Sequence, residues 1–255
     1  MLVNTSEKFS QLLGVESHER QLVGLVFLQA ILVGIQNLFT RTAAFAIFLE
    51  TLSATELPII YIAAGIFIPV FGIGFSKYQK SHGSQHGYKV ALALTLAMLI
   101  AMRAILEMDQ FLEVVVLALP VLALTCFRLL SVVLWGTANS VFTLRQSKRL
   151  YGLITTGDKL MTCIGGLLIP ALIALIGTEN LFIISIVSIA LAGLNQFRIL
   201  RAGSVTEEDE SHSQNTDSPS QGDYVPEEES RTYLKYAKLV LALQGGLSAL
   251  YFSID

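Results

Sequence analysis

The stretch FLEVVVLALPVLALTCFRLLSVVLWGTANSV, residues 111–141, has a long apolar interior that contains one basic residue, Arg128. An apolar run of this length can cross the hydrocarbon core of a bilayer as a single helix. Pro120 does not argue against a helix, because membrane helices tolerate proline where neighbouring helices satisfy the freed carbonyl group. The stretch therefore predicts a transmembrane helix, and Arg128 is a charge inside it that needs an explanation.

Five further apolar runs resemble this one, and together they predict an all-α integral membrane protein. The chain is 53% hydrophobic and only 15% charged, which is more apolar than one soluble core requires. Its net charge of -3, without a basic face, gives no indication of a nucleic-acid partner. In chain order, the six predicted spans cover residues 21–49, 57–75, 88–107, 111–141, 150–176 and 181–200.

The remaining sequence predicts a tail, a linker and one more helix. Residues 1–20 form an N-terminal tail ahead of the six-helix bundle of residues 21–200. Residues 201–232 are acidic and rich in Ser, Gln and Pro, and such a segment cannot offset the entropy cost of ordering. We expect a disordered linker there, either a plain tether or a segment that binds a partner. Residues 233–255 predict the start of a seventh transmembrane helix, in which the sequence ends.

The basic residues outside the spans indicate an orientation. They precede span one, separate spans two and three, follow spans four and six, and open the seventh run. In the alternate loops all the charged residues are acidic. The positive-inside rule then places the N-terminus, the basic loops and the linker in the cytoplasm. The predicted location is a multi-pass position in the cell's inner membrane, in contact with membrane lipid.

Four of the seventeen lysines and arginines lie in the predicted spans away from the outermost residues at the basic ends, where a charge usually faces a protein interior or a wet cavity. Arg103 lies four residues before Glu107, so these two are expected to form a structural ion pair. Arg41 and Arg128 have no acidic residue at helical spacing in their own spans, which makes them the stronger functional candidates. The fourth is Lys159, which directly follows Asp158.

Polar residues recur along one side of spans one, four and five, because residues three, four or seven apart share a helix face. Such stripes favour a shared, hydrated interior. Hydrogen bonding between neighbouring helices is the open alternative, above all for Thr125, Ser185, Ser188 and Asn195. The stripes comprise Gln29, Gln36, Asn37, Thr40 and Arg41 in span one, Thr125, Arg128, Ser131, Trp135 and Asn139 in span four, and Thr155, Lys159, Thr162 and Gly166 in span five, with Asp158 one position round the helix.

Two segments of the sequence carry a resemblance to a known family. Residues 72–80, GIGFSKYQK, resemble the signature loop of the major facilitator superfamily without its usual aspartate. The junction of spans four and five, LWGTAN at residues 134–139 and KRLYGLI at residues 148–154, resembles the ATP:ADP antiporter branch of nucleotide transporters and its bacterial relatives. The resemblance implies the N-terminal half of a twelve-helix transporter fold whose C-terminal transmembrane half is a missing partner.

In that superfamily the first, fourth and fifth spans border the central cavity, and these are the spans with the strongest polar stripes. The resemblance thus implies secondary-active transport of a small anionic solute, such as a nucleotide or another phosphate-bearing metabolite. It does not supply the family's substrate-contacting charges residue by residue. The candidate substrate-binding residues are Arg41, Arg128, Lys159, Asn37, Gln36, Trp135, Asn139 and Asp158.

Two other functional classes remain as alternatives. A transporter-derived scaffold or sensor would use the bundle to anchor other domains and would move nothing. A membrane enzyme is less well supported, because the sequence offers no cluster of metal ligands and no nucleophile constellation. We therefore expect no enzymatic activity, no cofactor and no metal, and we interpret Cys126 and Cys163 as small core residues.

Overall fold

A computed structural model describes residues 20–107, 112–142 and 144–213. Within these ranges the chain is helical, and the prediction of an all-helical protein with six potential membrane spans is confirmed. A single 3-10 turn, Ala54–Glu56, joins the first two helices. The helices are α1 (Arg20–Thr51), α2 (Leu57–His82), α3 (Ser84–Ile105), α4 (Leu112–Val141), α5 (Leu144–Ile176) and α6 (Leu181–Ser213).

Glycine or proline lies at three of the helix ends. Gly83 separates α2 from α3 with φ 85°, and Gly177 follows α5 with φ 83°. This left-handed conformation suits glycine, which has no Cβ to clash with its own backbone. Pro58 opens α2 at a position where its missing N–H is not needed. Short connections of this kind make consecutive helices run antiparallel.

The predicted linker begins later than expected. Residues 201–213 belong to α6, so the expectation of disorder from residue 201 is corrected for these positions. The physical reason is that extending an existing helix avoids the cost of a new nucleus, and the glutamates at 207, 208 and 210 are good helix formers. The chain divides into two compact units after Thr206. The N-terminal tail before Arg20, the rest of the linker and the predicted seventh helix lie outside the described residues.

Helix α1 is the central element of the first unit, residues 1–206, and contacts α4, α5 and α6. Its buried apolar residues belong to two cores, one around Phe48, Leu99 and Phe182 and a second around Val26, Leu134 and Ile154. Helices α2 and α3 pack against α4. The bundle thus places α4 and α5 on either side of a strip of α1, and this strip carries part of the predicted site.

Candidate functional site

Helices α1 and α5 approach each other through glycines. A Cβ on Gly157 would come 3.2 Å from the Cβ of Ala30, and a Cβ on Gly34 would come 3.1 Å from the Cα of Asp158. Farther along both helices, Gly165 lies against the side chain of Leu38. Because residue numbers rise together along these contacts, the two helices run parallel, as two odd-numbered spans should.

Asp158 and Lys159 lie where α5 meets α1. The Lys159 Nζ atom is 3.2 Å from the Asp158 Oδ2 atom, and the lysine side chain is 72% exposed against 21% for the aspartate. An ion pair this open contributes little stability by itself. Its significance is positional, because the backbone of Asp158 lies against Gly34 and the pair therefore borders the strip of α1 that runs between α4 and α5.

That strip of α1 contains Asn37 and Arg41. Residues 34, 37 and 41 are three and four apart and so share a face of the helix. Arg41 is exposed, and the Oδ1 atom of Asn37 is buried without a hydrogen-bond partner. Arg41 forms no ion pair with any residue that the structure describes. The α1 strip therefore presents one cation and one unsatisfied amide oxygen.

On α4, Arg128, Trp135 and Asn139 lie on a single face, because they are seven and four residues apart. Arg128 and Asn139 are exposed and Trp135 is partly exposed. Within the described ranges the Arg128 guanidinium has no acidic partner, and its Cζ atom lies 5.5 Å from the ring centroid of Phe127. This face of α4 thus carries an exposed cation at Arg128 that is unpaired within those ranges.

Helices α4 and α5 meet at one end of the bundle through three residues. The Tyr151 hydroxyl donates a hydrogen bond to Asn139 Oδ1. The Tyr151 ring meets the Trp135 ring edge to face, with centroids 5.2 Å apart. These contacts close the space between α4 and α5 at that end. Tyr151 belongs to the junction motif of residues 148–154, but it is not among the candidate site residues that the sequence indicates.

Hydrogen bonds between helices show which residues of α1 and α4 lie at the same level along the bundle. The Asn195 Nδ2 atom donates to the Leu25 carbonyl and to Gln29 Oε1, both at 2.9 Å, and the next residue, Gln196, donates to Thr137 Oγ1 at 2.8 Å. Thr137 of α4 is therefore level with the stretch of α1 between Leu25 and Gln29.

Arg128 lies nine residues before Thr137, or about 13.5 Å along the helix at 1.5 Å per residue. Because α4 runs antiparallel to α1, this distance brings Arg128 level with the region of Gly34 and Asn37. Asp158 lies against Gly34 itself. Arg128, Asn37 and the Asp158–Lys159 pair therefore occupy a similar depth near the middle of the spans, and Arg41 lies about one turn beyond.

Two members of the span-one stripe face another way. Gln29 and Gln36 are buried; Gln29 accepts from Asn195, and the Gln36 carbonyl accepts from Ser185 Oγ at 3.4 Å, so both lie on the α6 side. The Gln36 side chain donates from Nε2 to Thr40 Oγ1 at 3.0 Å. Gln36 thus lies apart from Arg41. The polar residues of span one therefore fall into two groups, one in contact with α6 and one on the exposed strip of α1.

Ser185, Ser188 and Asn195 form hydrogen bonds to a neighbouring helix, as the alternative interpretation of these polar residues expected. Ser188 Oγ donates to the Leu32 carbonyl of α1 at 2.7 Å, and Ser185 and Asn195 bond α1 as described above. Thr125 differs, because its hydroxyl donates to the Val121 carbonyl of its own helix at 2.8 Å. These bonds attach α6 to α1 and leave the exposed polar face to α1, α4 and α5.

No family model, curated protein or solved structure matches this chain. The functional conclusion therefore depends on the residues of the site. We call the arrangement of Arg41, Asn37, Arg128, Asp158 and Lys159 the cationic face. It carries three basic groups and a single carboxylate.

Proposed function

We propose that this bundle is one half of a twelve-helix secondary transporter and that it moves a small anion by alternating access between two helical bundles. The observation that carries the proposal is the excess of positive charge on the cationic face. Arg41 and Arg128 have no acidic partner among the described residues, and Asp158 is already paired with Lys159. Two positive charges are therefore left to be balanced.

A phosphate-bearing solute fits this charge. Guanidinium groups bind phosphate oxygens through paired, charge-assisted hydrogen bonds, and the low dielectric of a membrane interior strengthens such pairs. Arg41 and Arg128 supply the guanidinium groups, and Asn37 offers an amide for a further hydrogen bond. The resemblance of residues 134–139 and 148–154 to nucleotide transporters supports the same class. Nucleotides and phosphorylated metabolites are accordingly the first ligands to test.

Ligand-induced stabilisation in the full natural protein tests the proposal. A ligand at one hundred times its Kd stabilises the folded state by about 2.7 kcal/mol, which is measurable as a rise in Tm. We expect ATP, ADP or inorganic phosphate to raise the Tm of the purified wild-type protein. We expect Arg128→Gln to abolish that rise while the ligand-free Tm and the yield of inserted protein remain unchanged.

Arg103→Gln is the matched control. Arg103 also lies inside a helix of the bundle, but its Nη1 atom is 3.0 Å from Glu107 Oε1, so its charge is already paired. This variant should keep the response to ligand. If no anion stabilises the wild type, or if Arg128→Gln responds as the wild type does, transport of an anion by this face is refuted and the scaffold function is favoured.

A further inference from the structure

The corner between α2 and α3 is strongly basic. Five exposed basic or imidazole side chains lie within thirteen residues of the chain, and no acidic residue occurs between Glu56 and Glu107. Since the two helices are antiparallel and joined at Gly83, these groups lie together at one end of the bundle. We call this set the basic corner: Lys77, Lys80, His82, His86 and Lys89.

The imidazole rings of the basic corner are held in place. The ring centroid of Tyr78 lies 4.4 Å from that of His82, which in turn lies 6.1 Å from that of His86. The Nδ1 atom of His82 is 3.2 Å from the Tyr78 carbonyl oxygen and 2.6 Å from Ser81 Oγ. These two contacts hold the Nδ1 edge of the His82 ring against the last turn of α2.

The corner is also fixed to the rest of the bundle. Lys89 Nζ lies 5.4 Å from the ring centroid of Phe197 on α6, and the buried Tyr88 ring packs against Gly136 on α4. Gly87 lies directly against the side chain of Gln79, which brings the ends of α2 and α3 together. The helix ends that carry the basic groups are therefore packed against α4 and α6.

An exposed apolar stripe of α2 leads to the corner. Its residues follow one another at spacings of three and four, so they share one face, and each is 48–65% exposed. Lys77 and Lys80 continue the same spacing at the end of the stripe. The residues of this α2 stripe are Ile59, Ile62, Ile66, Val70 and Ile73.

We propose that the α2 stripe and the basic corner bind an anionic phospholipid. Its acyl chains lie along the stripe, and its phosphate is bound by Lys77 and Lys80, which continue the stripe, together with Lys89 at the start of α3. An apolar face that ends in a cluster of positive charge matches a molecule with apolar chains and an anionic headgroup. The site is separate from the cationic face, so it does not depend on the proposed transport function.

Native mass spectrometry of the full natural protein tests this inference. The purified protein is incubated with equal amounts of phosphatidylglycerol and phosphatidylcholine with identical acyl chains, and the lipids retained are counted. We expect retention of phosphatidylglycerol to exceed that of phosphatidylcholine. Removal of surface lysines near a membrane weakens anionic-lipid binding by about five-fold each, so Lys77→Gln/Lys80→Gln/Lys89→Gln should reduce the preference by at least about ten-fold.

Arg103→Gln, at the opposite end of α3, is the control and should retain the preference. Soluble glycerol phosphate at millimolar concentration should not displace the bound lipid, because it lacks the chains that the stripe binds. Equal retention of both lipids by the wild type, or an unchanged preference in the triple variant, would overturn the inference. Efficient displacement by glycerol phosphate would also overturn it, since the site would then bind phosphate without a lipid.

Discussion

Gly34 of α1 lies directly against the backbone of Asp158 of α5. A Cβ on Gly34 would come 3.1 Å from the Asp158 Cα atom and 3.2 Å from the Met161 Cβ atom. A backbone atom cannot move aside as the tip of a flexible side chain can. This contact therefore sets both the separation of α1 and α5 and the position of the Asp158–Lys159 pair on the cationic face.

We predict that Gly34→Val destabilises the bundle. The added side chain must push α5 outward, and overpacking of this kind costs about 1–3 kcal/mol. The Tm of the purified protein should fall. Gly24→Val is the control on the same helix, because a Cβ at Gly24 meets nothing within 4 Å. Equal Tm values for the two variants would show that α1 and α5 are not in contact at this level.

Gly136→Ala should destabilise the contact between α3 and α4. A Cβ at Gly136 would overlap the ring of Tyr88, which is only 6% exposed and has no room to turn away. A lower Tm, or a lower yield of inserted protein, is expected. Gly152→Ala is the matched control within the same junction motif, since nothing lies within 4 Å of a Cβ there. A stable Gly136→Ala protein would contradict the packing described.

The pair formed by Asn195 of α6 and Gln29 of α1 should be energetically coupled. Their side chains are buried and form a 2.9 Å hydrogen bond. Measured bonds between membrane helices average about 0.6 kcal/mol and reach about 1.7 kcal/mol. A double-mutant cycle with Asn195→Ala and Gln29→Ala, followed by unfolding in denaturing detergent, should give a coupling in that range. Strict additivity would show that the bond contributes nothing.

The orientation can be tested with single cysteines in a background that lacks Cys126 and Cys163. Position 82 ends α2 and position 146 lies in the first turn of α5, and the positive-inside rule places both in the cytoplasm. An impermeant thiol reagent applied to intact cells should leave His82→Cys and Gln146→Cys unlabelled. Thr55→Cys, in the exposed turn before α2, should be labelled. Labelling of position 82 or 146 from outside would refute the orientation.

The sequence was sufficient to predict the spans and one of the charge pairs. Each apolar run becomes a helix because a backbone in lipid must satisfy its own hydrogen bonds, and the helices extend past the runs where polar residues continue them. Arg103 and Glu107 were predicted to pair from their spacing alone, and their side chains are 3.0 Å apart. Both results depend on interactions between residues near each other in the chain.

The division of the span-one stripe was not predictable. Periodicity placed Gln29, Gln36 and Arg41 together, but the approach of α6 buries both glutamines and leaves Arg41 exposed. Neither the bond between Tyr151 and Asn139 nor the close approach of Gly34 to Asp158 has a local signal. Each joins helices that are adjacent only after the bundle has packed.

The sequence by itself determined that this chain forms six long apolar helices and that Arg41, Arg103, Arg128 and Lys159 interrupt their apolar runs. The length of an apolar run and the spacing of its residues can both be read directly from the order of residues in the chain. Only the tertiary structure decided which of those charges remain uncovered. Helix packing buries a polar group where a neighbouring helix offers a hydrogen-bond partner, as α6 does for Gln29, and leaves it exposed where none arrives, as at Arg41 and Arg128. That choice depends on contacts between residues far apart in the chain, so it is made when the helices pack.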